Sequence, residues 1–211
     1  MKKIGSLCLI WLLAITAIFC VTACGSNPND EDGEVDPSGT DASYEITVDA
    51  SNVSVDTSEI SVCIYSLNGV LVGEKKLSQG KTLFELDVDS YVATLSGLSE
   101  KVSYSSVLLT KSTKKATIVL EETEFDEHSK AYAFAFTVIV MAGDMDLDAL
   151  DVQLCDDSSC RPVEFDDGNV ADLYIGTGEY EVKVFSGGSL DALYHEDCTV
   201  TLDKRFCVIV L

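Results

Sequence analysis

The sequence repeats its own plan. The segment ITVDASNVSVDTSEISVCIY at 46–65 lies over FTVIVMAGDMDLDALDVQLC at 136–155, an offset of about 90 residues. That register sets Val48 on Val138, Asp56 on Asp146, Ile60 on Leu150, Val62 on Val152 and Ile64 on Leu154. Further along, Gly80 matches Gly168, Tyr91 matches Tyr180, and Ser96-Gly97 matches Ser186-Gly187. The ends align as LTKSTKKATIVL against TVTLDKRFCVIV. Two copies are too few for a solenoid, whose repeats bury their faces only by stacking, so tandem domains are the better solution.

Within each copy the apolar residues alternate. In YAFAFTVIVM, Tyr132, Phe134, Phe136, Val138 and Val140 share one face, and mostly smaller residues take the other. In YEVKVF, Tyr180, Val182 and Val184 point one way while Glu181 and Lys183 point to water. A period of two is that of a strand, because successive side chains leave opposite faces of a sheet. Asn68-Gly69 between apolar segments marks a hairpin, since both residues tolerate positive φ. About seven short strands per half, with turns every 8–12 residues, fit a β-sandwich. No stretch after residue 24 carries helical periodicity with caps. The fold expected is all-β: two tandem seven-stranded-type sandwiches over 44–121 and 131–211, joined by the acidic stretch 122–130. The apolar run at 132–142 leaves a second arrangement open, in which it packs on the first half and fuses the two.

Val62-x-Ile64-Tyr65, then Asn68-Gly69, then Tyr91-x-Ala93-x-Leu95 resemble a transthyretin-like sandwich. Gly178-Glu179-Tyr180-Glu181-Val182-Lys183-Val184 is similar to the Gly-x-Tyr-x-Val-x-Val strand of carboxypeptidase-regulatory-like and collagen-adhesin B-type repeats. The first copy departs from it, with Asp89-Ser90 before Tyr91. The resemblance implies structural roles for these residues and no active site. Fimbrillin-type surface lipoproteins also pair two such domains, which makes a pilus-related role one option.

The first 24 residues, MKKIGSLCLIWLLAITAIFCVTAC, set Lys2 and Lys3 before an uncharged apolar run. That run is nearly long enough to span a bilayer. It is followed, however, by acidic GSNPNDEDGEVD rather than a basic stop-transfer cluster. It also ends in Val-Thr-Ala-Cys, which resembles the bacterial lipobox. The resemblance implies that residues 1–23 are a signal peptide removed by signal peptidase II. It further implies that Cys24 is lipidated, diacylglycerol on the thiol and an acyl chain on the new amine. Each buried methylene adds about 0.8 kcal/mol, and two or more chains anchor a protein stably. Residues 24–43 then read as a disordered acidic tether, rich in Gly, Ser, Asn, Asp and Pro, averaging roughly 25 Å in span. Gly25 supplies no inner-membrane retention signal. The expected address is the cell envelope: outer membrane or surface in a Gram-negative cell, the outer face of the cell membrane in a Gram-positive one.

The chain carries 36 Asp and Glu against 14 Lys and Arg, for a net charge of −22. Removing residues 1–23 takes away two lysines and no acids, leaving −24. Nucleic acid is excluded as a partner, because phosphates would be repelled and no basic stripe offsets this. Such acidity keeps an exported protein soluble.

Cys8 and Cys20 leave with the signal, so five cysteines remain after Cys24. An oxidising compartment favours disulfides. The expected pairs are Cys155–Cys160 across the DDSS turn and Cys198–Cys207 across a hairpin around LDKR, each worth about 2–3 kcal/mol. A Cys₄ zinc site is the alternative, but C-x₄-C and C-x₈-C lack its tight spacing. Cys63 is left over and reads as a buried thiol in a strand, or else an intermolecular bridge. Asp144, Asp146, Asp148 and Asp151 in GDMDLDALD offer oxygens for calcium, yet the loop lacks the central glycine and terminal glutamate of an EF-hand. A solvated loop is expected there. His128 and His195 have no metal-spaced partner. No nucleophile elbow, P-loop or dinucleotide fingerprint occurs.

The function expected is a membrane-anchored, non-catalytic binding, adhesion or structural module without cofactors, whose partner is an envelope protein or glycan. The alternative is a hydrolase using loop acids such as Asp156, Asp157, Asp166 and Asp167, which would require two carboxylates about 5–10 Å apart in a cleft.

Overall fold

A computed structural model describes residues 41–123, 125–126, 131–165 and 168–211. The lipobox with Cys24, His128, Asp166 and Asp167 lie outside these residues. The described chain is all-β apart from two single 3₁₀ turns. Among the described residues no helix is long and apolar enough to cross a membrane.

In the first half the strands are β1 (Asp41–Asp49), β2 (Ser61–Ser66), β3 (Leu71–Lys76), β4 (Lys81–Asp87) and β5 (Tyr91–Ser96). They continue with β6 (Val102–Ser103), β7 (Val107–Leu109), β8 (Lys115–Val119) and β9 (Glu121–Glu122). The second half holds β10 (Phe125–Asp126), β11 (Ala131–Tyr132), β12 (Phe134–Met141), β13 (Leu150–Cys155) and β14 (Cys160–Pro162). It ends with β15 (Val170–Ile175), β16 (Gly178–Ser186), β17 (Tyr194–Val200) and β18 (Phe206–Val210).

Each half builds a three-stranded and a four-stranded sheet with the same connectivity. The first half has β4-β1-β8 and β3-β2-β5-β7; the second has β15-β12-β18 and β14-β13-β16-β17. Among the described strands only β1–β8 and β12–β18 pair parallel, at equivalent places in the two copies. Seven strands in two sheets around one core make each half a β-sandwich. The cores are separate: Tyr44, Ile46, Ile64, Phe84 and Leu95 belong to the first, and Phe134, Phe136, Val138, Leu154 and Val184 to the second.

The repeat extends to single hydrogen bonds. Asp56 and Asp146 each cap a one-turn 3₁₀ helix, accepting from Ser58 N at 3.0 Å and Asp148 N at 3.1 Å. Tyr91 and Tyr180 each donate a phenol to the carbonyl four residues back, on Asp87 and Gly176. Gly97 touches the backbone so closely that a Cβ would stand 2.4 Å from Glu59 O, and its φ is +83°. At the equivalent place, Gly187 N donates to Ala149 O at 2.9 Å.

Two details depart from expectation. The Asn68-Gly69 hairpin forms, but only Gly69 takes a positive φ, of 73°. Ser66 N bonds Val70 O, so the loop has three residues and the glycine takes the left-handed position that closes such turns. The final strands also align one residue off the sequence match. Val48 pairs with Ile118 and its equivalent Val138 pairs with Cys207, so Ile118 corresponds to Cys207 and not to Val208. A one-residue slip moves every side chain to the other face.

The two sandwiches do not hang apart on an exposed linker. The acidic stretch contributes β9, which pairs with β6, and β10, which pairs with β11. More importantly, the β3-β2-β5-β7 sheet lies back to back with β15-β12-β18. Val92, Ile139 and Phe206 are buried between them, with Tyr65, Leu108, Met141 and Val208 around them. The run FAFTVIVM is therefore buried on both faces: its even-numbered residues fill the second core, and Ala135, Thr137 and Ile139 face the first half. Burying each of the three central apolar side chains contributes about 1.5–3 kcal/mol. The described residues accordingly form one compact unit. The run at 132–142 packs on the first half, as the second arrangement had it, and the sheets and not the linker make the junction.

Polar groups complete this seam. Ala135 N donates to Ser103 Oγ at 2.8 Å, and Ser106 N to Thr137 Oγ1 at 2.9 Å. Thr137 Oγ1 in turn donates to Asp172 at 2.7 Å. Arg205 crosses from the second half into the first and is wholly buried. Its Nη1 donates to Val102 O at 2.6 Å and its Nε to Leu202 O at 2.9 Å, between the rings of Tyr104 and Phe134. Burial pulls the guanidinium below its ordinary pKa, yet an arginine stays charged in any protein. Carbonyls and ring faces replace the water it loses.

Candidate functional site

The expected disulfides divide. Cys155 and Cys160 are bonded, and they face each other directly across the β13–β14 ladder. Asp156 fixes the intervening turn by accepting from Ser158 N and Ser159 N, both at 2.8 Å. The hydrogen bonds from Ser158 and Ser159 lower its pKa to about 2. Asp157, the other described acid of the hydrolase alternative, is exposed.

Cys198 and Cys207, expected as the second bridge, are free thiols. The strands flanking LDKR do not form a hairpin ladder. β17 is the edge of the four-stranded sheet and β18 the edge of the three-stranded one, so these cysteines line one groove from different sheets and do not face each other along a pair of strands. Cys63 is buried in β2 and donates to Ser96 Oγ at 3.5 Å; burial pushes its thiol up. The Asp144–Asp151 loop is exposed for the most part, Asp146 serves as a cap, and Asp151 accepts from Gln153. Among the described residues no cluster of three or more His, Cys, Asp or Glu could hold a metal. His195 is exposed on β17, opposite Lys183.

The most developed concavity is a groove of about 550 Å³ along the edges of β17 and β18. Leu67, Asn68 and Gly69 from the first half's hairpin wall one end of it. Tyr194, Glu196 and Cys198 alternate on β17 and so present one face to it, while Phe206, Cys207 and Val208 enter from β18. Lys204 stands at the turn, its Nζ 5.8 Å from the Phe206 ring centre.

The electrostatics of the groove are local. The Tyr194 hydroxyl donates to the Glu196 carboxylate. Burial first, and then that carboxylate, push the phenol far above its usual range. Cys198 is pulled below its ordinary value, first by the neighbouring Cys207 thiol and then by the Lys204 ammonium. Cys207 moves the other way, because the Cys198 sulfur beside it and the burial of its site both disfavour its thiolate. The groove thus offers two thiols, an ammonium and a carboxylate–phenol pair.

Sequence reasoning found the cysteines but not this groove, Lys204's place in it, or Arg205's burial. In LDKRF both cations look like surface turn residues. The one available signal was that Cys198, Glu196 and Tyr194 fall on one face of a strand.

No family model matches the chain, and no curated protein does. Solved structures overlay weakly. The Bacillus anthracis TIE protein is 11% identical over 82% of this chain and 34% of its own, with a TM-score of 0.32. A streptococcal virulence factor that binds α-glucan is 8% identical over 80% of this chain and 92% of its own, at 0.33. The shaft pilin SpaA of Lactobacillus rhamnosus GG is 10% identical over 81% and 97%, at 0.33. The chain spans about a third of the first of these. Scores this low leave function to be argued from the residues.

Proposed function

We propose that this chain is an exported lipoprotein, tethered through Cys24, whose double sandwich is a non-catalytic module that binds an envelope partner in the β17–β18 groove. The observation that carries the binding reading is that the groove is walled by both halves and runs along two strand edges. Unpaired edges present backbone donors and acceptors in a row, which suits an extended polypeptide that adds to a sheet. A protein segment is therefore favoured over a glycan. The anchor rests on Val-Thr-Ala-Cys and the acidic segment after it.

Two measurements test this reading separately. With Cys24→Ser, the protein should no longer take up labelled fatty acid and should keep its precursor size; retained label and normal maturation would remove the anchor. For binding, immobilised mature protein should capture an envelope protein, and Asn68→Trp or Thr199→Trp should weaken capture about tenfold or more by filling the groove. Their unfolding midpoints should not change. Capture indifferent to both substitutions would put the binding surface elsewhere.

A further inference from the structure

The five described cysteines occupy three different chemical situations. Cys155 and Cys160 are already bonded. Cys63 is a buried thiol held by Ser96. Cys198 and Cys207 alone combine a neighbouring thiol with partial exposure and a groove that both of them line. They arrive from edge strands of opposite sheets, so a bond between them would tie the open side of the second sandwich. Lys204 stands at the mouth of the same groove, where its charge favours a sulfur anion. A volume of about 550 Å³ is within the range of small-molecule sites.

We propose that Cys198 and Cys207 form a reversible thiol–disulfide exchange site that accepts a low-molecular-weight disulfide from the groove. Cys198, as the thiolate, attacks one sulfur of the incoming disulfide; a mixed disulfide forms and one thiolate leaves. Cys207 then gives its proton to that leaving thiolate or to solvent and attacks the Cys198 sulfur, expelling the second thiolate. The balance is one protein dithiol and one small disulfide converted to one protein disulfide and two small thiols. Both sulfurs and Lys204 line the one groove, and the attack is assigned to Cys198 because its thiol is the one held below its ordinary value. This goes beyond the binding reading and is tested without it.

The test uses mature protein treated with mild reductant, freed of it, and exposed to glutathione disulfide near pH ~7. Peptide mapping and intact mass are followed over time. Wild type should lose two hydrogens, mapped to Cys198–Cys207, and added dithiothreitol should restore them in the folded protein. Cys207→Ser should stop as a stable glutathione adduct on Cys198. Cys198→Ser should form an adduct on Cys207 at least about tenfold more slowly, because its thiol is the less acidic. Lys204→Met should slow the first adduct and move its pH profile upward, which a merely structural lysine would not do. Equal adduct rates on the two single variants would overturn the proposal. So would thiols that react only after unfolding, or a bond that reductant opens only in denatured protein.

Discussion

β1 and β12 occupy the same place in the same fold, yet they live in different surroundings. β1 reads DASYEITVD and alternates between exposed and buried, so one face is wet. β12 reads FAFTVIVM and is buried along nearly its whole length. The equivalent pairs Glu45 and Ala135, and Asp49 and Ile139, show the change: the outer face lost its charges where it came to lie on the other half. The same contrast separates β8 from β18. Thr117 and Val119 are exposed, whereas their counterparts Phe206 and Val208 belong to the seam. A sandwich can thus keep its inner core and topology while the outer face of one sheet alone decides whether it stands free or docks.

The sharpest way to break this difference is at Arg205. Arg205→Ala leaves the Val102 and Leu202 carbonyls without their donor and a void between Tyr104 and Phe134. The expected loss is about 3–5 kcal/mol in urea unfolding. Ala116, the residue of β8 that corresponds to Arg205 in the pairing register, carries no such role, and enlarging the effect to match it would require damage to the core. If Arg205→Ala unfolds with the wild-type midpoint, the seam does not hold the halves together.

A second comparison is smaller and more direct. Thr137→Val leaves the buried Ser106 N–H without its acceptor and removes the donor to Asp172, for a cost of about 1–3 kcal/mol. Its equivalent in β1, Thr47→Val, should change stability by less than about 0.5 kcal/mol, since that side chain is on the face without a docked partner. Equal effects at the two positions would mean that the outer faces are not differently used.

The smallest effect concerns the hairpins that follow β2 and β13. The β13–β14 turn is held by Asp156, whose pKa is lowered to about 2. A depressed carboxylate contributes stability that is present above its unfolded value and is lost as pH falls through the folded one. The Ser158 and Ser159 amide signals should therefore move between about pH 4 and pH 2. The Leu67–Gly69 loop contains no carboxylate, so its amides should hold still over that interval. A shared shift would indicate general acid unfolding and not the turn.

What a single sequence carries is what local chemistry fixes. Period-two alternation, the matched Asp56/Asp146 and Tyr91/Tyr180 positions and Cys155–Cys160 were all legible, because each depends on neighbours a few residues away or on a face repeated along one strand; that the two aspartates cap 3₁₀ turns was not. The strand count of each sandwich followed from the same pattern. The β8 and β18 register was not, since an alternating strand reads almost equally well one residue over and only its partner strand chooses the face. Nor was the fate of FAFTVIVM, because burial on both faces looks the same whether the second cover is a sheet of its own domain or of its neighbour. Arg205 and Lys204 are adjacent cations in one turn, yet one is sealed between two rings and the other opens onto a groove. Cys198 and Cys207 likewise sit on edges of different sheets. Their meeting is set by how two sheets pack about 10 Å apart, a distance across the fold that no spacing along the chain encodes.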